Sequence, residues 1–150
     1  MLRMGMAALV ALAFTTACKK VEKGPKILTD LDGWIIYTTT DGEDVNFWST
    51  AEANRCIDDY GGEYYDETKG VRYIHLKDIP EDFSYGFCNW VNLKTIDLSH
   101  VDFSHCTKMD KMFYKTAVEK VVMSGLDLSS MKSMEEMFLN CENLKEVKMD

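Results

Sequence analysis

Leu93 to Phe113 reads LKTIDLSHVDFSHCTKMDKMF and Val118 to Phe138 reads VEKVVMSGLDLSSMKSMEEMF; the two stretches superpose without gaps at an offset of 25 residues. Ile96 then meets Val121, Leu98 meets Met123, Val101 meets Leu126, Asp102 meets Asp127 and Phe103 meets Leu128. Further on, Met109, Met112 and Phe113 meet Met134, Met137 and Phe138. Self-similarity at such a period marks a repeat architecture, in which each unit shields its neighbour's apolar face from water. The pattern continues in weaker form on both sides, as Val71-x-x-Ile74-x-Leu76-x-x-Ile79 before it and Leu144-x-x-Val147-x-Met149 after it. Four repeat strands are expected.

Within a unit, L-x-x-I-x-L alternates as a strand does, with Ile96 and Leu98 on one side and Thr95, Asp97 and Ser99 on the other. Met109-Met112-Phe113 and Met134-Met137-Phe138 have the i, i+3, i+4 spacing of a helix stripe, and Thr107 with Asp110 resembles a capping box at its start. The fold class expected is α/β: a short leucine-rich-repeat-like solenoid of parallel strands and short helices over 71–150, behind an amino-terminal α+β cap over 27–70. L-x-x-L-x-L at a period in the low twenties is the leucine-rich-repeat signature. The position usually filled by Asn or Cys holds Ile79, Val101 and Leu126, so no asparagine ladder is expected. LKTIDLSHVDFSHCTKMDKMF and MSGLDLSSMKSMEEMFLNCENLKEV resemble the BspA-like family of leucine-rich-repeat bacterial surface lipoproteins. The resemblance covers about Val71 to Asp150 and implies an exported, anchored binding or adhesion module with no chemistry of its own.

Ahead of the repeats, Gly33-WIIYTTT reads as a strand running into an Asp41-Gly42 turn, with Val45 to Trp48 as its hairpin partner. Ser49 with Glu52 forms a capping-box pattern for a helix from Ala51 that Gly61-Gly62 would end. Gly62-EYYDETKGVRYIHL is a second hairpin turning at Lys69-Gly70. A stretch of this length is marginal as an independent domain, which favours a cap over the first repeat.

Residues 1–17 carry export syntax: Arg3, an apolar run from Met4 to Phe14, then Thr15-Thr16-Ala17 directly before Cys18. The run is too short for a permanent membrane span. Small residues before a cysteine resemble the bacterial lipobox, which makes Cys18 the lipidation site and the membrane the first partner. Thr15 stands where that motif usually has Leu, so cleavage that leaves Cys18 unmodified is the alternative. Residues 18–26, the cysteine and then KKVEKGPK, lack periodicity and read as a tether. Lysines after the cysteine, where a retention signal would place Asp, resemble outer-membrane sorting, so the outer membrane or cell surface is expected over the inner membrane.

The chain has 150 residues, 46% of them hydrophobic, enough for one core. Its 17 basic and 25 acidic side chains leave a net charge of −8, which disfavours a nucleic-acid partner, since such binding draws on Lys and Arg neutralising phosphates. His100, His105 and Cys106 lie close in sequence and raise a metal- or thiol-dependent enzyme as an alternative. Their counterparts in the next unit are Gly125, Ser130 and Met131, so Cys106 occupies an apolar slot and the histidines fall at variable turn positions. Neither a metal, a cofactor nor catalysis is therefore expected. Asp102 and Asp127 recur and are read as hydrogen-bonding turn backbone. Cys56, Cys88, Cys106 and Cys141 are read as buried thiols or bridges, with Cys56 to Cys88 the preferred pair. Trp34, Trp48 and Trp90 are binding anchors or packed core.

The solvent-facing strand positions are the candidate binding face for a protein or glycan. They are Tyr73, Thr95, Lys120 and Glu146; His75, Asp97, Val122 and Lys148; and Lys77, Ser99, Ser124 and Asp150. A solvated face with no ligand is the alternative, as is a truncated structural relic. An unpaired last strand also predicts self-association.

Overall fold

The computed structural model describes residues 22–23, 30–40, 60–76 and 79–150. The export segment, Cys18, the expected partner strand Val45 to Trp48, the expected helix from Ala51, Cys56 and Lys77 lie outside the described residues.

Seven strands follow one another along the chain: β1 (Glu22–Lys23), β2 (Trp34–Thr39), β3 (Tyr60–Asp66), β4 (Val71–Leu76), β5 (Leu93–Asp97), β6 (Lys120–Val122) and β7 (Glu146–Lys148). Period-two alternation explains the longer ones, since β2 and β4 each bury every second residue. They form a single open sheet in the order β1-β3-β4-β2-β5-β6-β7, six strands of three residues or more with the two-residue β1 at one edge. β1 comes from the segment read as a tether; two residues of parallel backbone pairing with Tyr64 and Tyr65 need no side-chain periodicity.

The hairpin of β3 and β4 turns where expected, at Lys69-Gly70. There Gly70 takes a φ of 64°, and Asp66 Oδ1 accepts the backbone N–H of Thr68 at 3.0 Å. β2 lies antiparallel between β4 and β5, so a strand from the amino-terminal segment is built into the sheet beside the repeats. Beyond it β5, β6 and β7 are parallel, with Ile96 beside Val121 and Val121 beside Val147. The two matching segments therefore lie side by side, in the register their alignment predicts.

One face of this sheet is the core. Ile35, Tyr37, Ile74, Leu93, Ile96 and Val121 are fully buried, packed with Phe83, Phe87, Phe103, Met109, Met112 and Phe113 from the segments that return between strands. Phe87, Phe113 and Phe138 stack in a column, with ring centroids 5.3 and 5.5 Å apart. Such pairs contribute about 0.5–1.5 kcal/mol beyond area burial.

The expected α/β solenoid is corrected by these returning segments. No α-helix occurs among the described residues, and Met109 to Phe113 and Met134 to Phe138 are turns. The fold is mostly sheet, mixed and open. The apolar stripe itself is real, since Met109, Met112 and Phe113 are all fully buried. What differs is where the backbone donors go. Phe83, Tyr85, Phe87 and Asn89 donate to the carbonyls of Lys108, Asp110, Met112 and Tyr114 in the next unit, at 2.8, 3.0, 2.9 and 2.9 Å. Met109, Lys111, Phe113 and Lys115 repeat the pattern onto Ser133, Glu135, Met137 and Leu139. Alternate residues close local turns instead, such as Tyr114 onto Lys111 and Thr116 onto Phe113.

A helix would commit every donor within its own turn of chain. It would also exclude the left-handed residues found here, Tyr85 and Asn89, Lys111 and Lys115, Glu136 and Asn140, at φ between 52 and 62°. Two left-handed residues four apart reproduce the i, i+3, i+4 spacing of buried side chains without a helix. The Thr107 and Asp110 pair is likewise used sideways: Thr107 donates its N–H to Glu81, and Asp110 Oδ1 accepts from Ser133 and Glu135.

The expected sheet of parallel repeat strands is corrected as well, because the first of the four, β4, reaches β5 only through antiparallel β2. Cys106 and Cys141 are free thiols, and the preferred bridge from Cys56 to Cys88 involves a residue outside the described ones. Cys88 and Cys106 are buried among apolar side chains, and Cys141 Sγ donates to the Phe113 carbonyl at 2.8 Å.

The left-handed turns give a test of sign. At exposed Lys115, with φ 57°, glycine should be more stable than alanine by about 1 kcal/mol, whereas in a helix alanine would win by a similar margin. Urea unfolding of Lys115→Gly against Lys115→Ala measures the difference.

Candidate functional site

Opposite the core, the sheet displays its side chains in rows that cross the strands. Register aligns Tyr64, Tyr73, Ile36, Asp97, Val122 and Lys148 in one row over six strands, of which Tyr64 is buried and the other five are at least partly accessible. Thr38, Thr95, Lys120 and Glu146 form the next. With strands about 4.8 Å apart, the longer row spans roughly 24 Å. Trp34 and His75 are paired at one end of the face, with their rings edge to face at 5.1 Å.

The face changes character along its length. Toward β3 it is aromatic, with Tyr73 packed on the buried Tyr64 ring at 5.8 Å and set beside Trp34, His75 and Ile36. In the middle the Thr38 and Thr95 hydroxyls are hydrogen-bonded at 2.6 Å. Toward β7 it alternates in charge, with Lys120 Nζ 3.2 Å from Glu146 Oε2 and Asp97 and Lys148 in the neighbouring row. Aromatic surface beside alternating charge can bind by stacking and by ion pairing, the combination characteristic of recognition surfaces.

Two of the expected columns hold: Thr95 with Lys120 and Glu146, and Asp97 with Val122 and Lys148. Tyr73 does not join Thr95. The inserted β2 carries it into the Asp97 row, and His75 stands beyond that row beside Trp34. Ser99 and Ser124 fall in the turns that follow β5 and β6, and the Asp150 carbonyl accepts the N–H of Gly125 at 3.1 Å. Sequence reasoning missed Trp34, Ile36 and Thr38 as members of the face. Their alternation with Ile35, Tyr37 and Thr39 was legible, but the insertion of β2 between β4 and β5 is a contact between distant segments with no local signal.

His100, His105 and Cys106 do not converge. His100 lines a shallow cleft of about 450 Å³ with Asp30, Asp102 and Asp127, and His105 lines an adjoining one of about 360 Å³ with Asp32 and His75. Cys106 lines neither. Its thiol lies in the core, donates to the Lys108 carbonyl at 3.4 Å, and is pushed up in pKa by burial, the opposite of an activated nucleophile. Among the described residues no group of three or more His, Cys, Asp or Glu side chains is placed to hold a metal ion.

The recurring aspartates serve turns, as expected. Asp82, Asp97, Asp102 and Asp127 each accept the backbone N–H two residues on, from Ser84, Ser99, Ser104 and Ser129, at 2.8–2.9 Å. Hydrogen bonding holds several carboxyls below their ordinary acidity range. The chief causes are the Thr68 side chain at Asp66, Ser104 at Asp102, Ser133 at Asp110 and Ser129 at Asp127, while Lys145 does the same for Glu119.

The chain matches no protein-family model, no curated protein and no solved structure.

The carboxyls imply acid sensitivity. A carboxylate more acidic in the folded state contributes stability that is complete above its unfolded pKa and is lost as pH falls through its folded one. The melting temperature should hold from about pH 7 to about pH 5 and decline once pH drops below the ordinary aspartate value of 3.8. Asp110→Asn, which removes the carboxylate linking two units, should lower the plateau and shallow the decline. Scanning calorimetry across the pH range reads both.

Proposed function

We propose that the protein is an exported binding module, lipid-anchored through Cys18, that recognises a protein or glycan with the outer face of its sheet. The observation that carries the reading is the row from Tyr73 to Lys148, in which five strands present side chains in register on the face opposite the core, the Tyr64 that continues it on β3 being buried. Trp34, Tyr73 and His75 supply rigid stacking surface, and Asp97, Lys120, Glu146 and Lys148 supply orienting charge. Aromatic anchors dominate binding energy because they exclude much water at little entropic cost, while exposed charges act mainly on encounter rate and orientation.

Export and anchoring rest on Arg3, the apolar run and Thr15-Thr16-Ala17-Cys18. Among the described residues no helix is long and apolar enough to cross a membrane. The resemblance of about Val71 to Asp150 to BspA-like surface proteins adds the expectation of an envelope or cell-surface location with adhesion as the outcome. Any tether between Cys18 and the sheet is limited to the residues ahead of β1, since Glu22 and Lys23 are paired with β3.

Two measurements test this. Cys18→Ala should move the protein from the membrane to the soluble fraction; unchanged fractionation would defeat the anchor. On arrays of immobilised glycans and glycoproteins, Trp34→Ala and Tyr73→Ala should each weaken the captured ligand about tenfold or more, as buried aromatic anchors do. Asp97→Lys and Lys120→Glu should alter mainly the association rate and its salt dependence. Equal binding by all four variants and the unaltered protein would remove the face from the account.

A further inference from the structure

We infer that the partner of the sheet face is a polypeptide segment bearing arginine, which stacks on the Trp34 end of that face and places its guanidinium groups in the two clefts along the adjoining rim. The inference rests on the reading of the face given above and names the chemistry of its occupant.

The clefts lie where β2 begins and where β4 and β5 end. There the Gly33 N–H donates to the His100 carbonyl at 2.8 Å, and the Gly33 carbonyl accepts from Leu76 at 2.9 Å. Asp32, Val101 and Asp102 line both clefts, which therefore run on from one another across the strand ends as one groove. His75 joins this groove to the face: its ring meets Trp34 edge to face at 5.1 Å and also lines the cleft that holds His105.

Charge selects the occupant. Asp30, Asp32, Asp102 and Asp127 line the groove together with all three histidines of the chain and with no lysine or arginine. Elsewhere Asp66 is answered by Lys69, Asp110 by Lys108, Glu119 by Lys145 and Glu146 by Lys120, at 3.0–3.4 Å. Among the described residues the four groove aspartates have no such counterion. A neutral glycan would use the stacking surface and leave these carboxylates unanswered, and an acidic one would be repelled. A single metal ion does not fit either, because among the described residues no three such side chains are placed to share one. Charges spread along a groove suit an extended cation with several groups. Guanidinium suits it better than ammonium, since its planar fork takes carboxylates bidentately and its face stacks on aromatic rings such as those of Trp34 and Tyr73.

The test uses the full-length protein in detergent at about 0.15 M salt and a fluorescein-labelled peptide, Ser-Arg-Ser-Arg-Ser-Arg-Ser, read by fluorescence anisotropy. Lysine in place of arginine should weaken binding about tenfold, and citrulline, which keeps the shape without the charge, should abolish it. Asp32→Asn combined with Asp102→Asn should weaken binding about tenfold or more. Asparagine at 102 can still accept the turn N–H of Ser104, so the fold is kept. Glu136→Gln combined with Glu142→Gln removes the same charge from exposed turns outside the groove and should leave binding within about twofold. Trp34→Ala should weaken binding about fivefold or more. No binding of the arginine peptide, equal binding of the citrulline peptide, an aspartate pair that binds as the unaltered protein does, or an equal loss in the glutamate pair would each overturn the proposal. So would a peptide indifferent to Trp34→Ala, since the groove would then act apart from the face. An array ligand that is lost in Trp34→Ala and Tyr73→Ala but kept by the aspartate pair overturns this proposal and leaves the reading of the face standing.

Discussion

Hydrogen bonds that run sideways from one unit to the next are what the rest of this structure depends on. They form two ladders, one through β5, β6 and β7 and the other through the turns that begin at Phe83, Met109 and Met134. The strands satisfy none of their backbone internally and the turns only at alternate residues, so a unit without its neighbour would leave rows of donors and acceptors without protein partners, at a cost that only water could offset. The two ladders also keep successive units at a common spacing, which brings like residues into contact. The stacked column of Phe87, Phe113 and Phe138 is one result, and the Lys111 to Glu136 and Lys145 to Glu119 ion pairs at 3.3 and 3.0 Å are others.

The spacing tolerates insertion only where the chain is exposed. Along the turns the first and second units differ by 26 residues, as Asn89 and Lys115 show, but along the strands by 25, as Thr95 and Lys120 show. The additional residue is taken up near Val91, which is 65% exposed. Between the second and third units the extra residue falls near Glu142 and Asn143, again at the surface. Insertions there disturb neither ladder, which is why the strand and turn registers survive a repeat of uneven length.

The same ladders generate the outer face. Because each strand is locked to the next, the alternation that buries Ile96 and Val121 also aligns Thr95 with Lys120 and Asp97 with Val122. β2 then carries this array onto the β3 and β4 hairpin and adds Trp34 and Ile36 to it. A face assembled in this way combines side chains from the repeats with side chains from outside them, and that combination makes it aromatic at one end and charged at the other. The residues that tempt an enzymatic reading, His105 and Cys106, are adjacent in sequence but fall on opposite sides of the solvent boundary, one exposed and one buried.

By itself the sequence determined the repeat, the strands from β2 onward, the turn aspartates and the inward stripe of Met109, Met112 and Phe113, because each is a matter of period or of contacts a few residues long. It did not distinguish helix from turn in that stripe, since two left-handed residues four apart bury the same positions as one helical turn does. Tertiary structure made the choice: the neighbouring unit offers carbonyls to Phe83, Tyr85 and Phe87 where a helix would have offered its own. It also chose where β2 sits, and with it which residues share the outer face, because pairing between segments dozens of residues apart depends on which apolar edges meet in the folded chain and leaves no trace in local sequence.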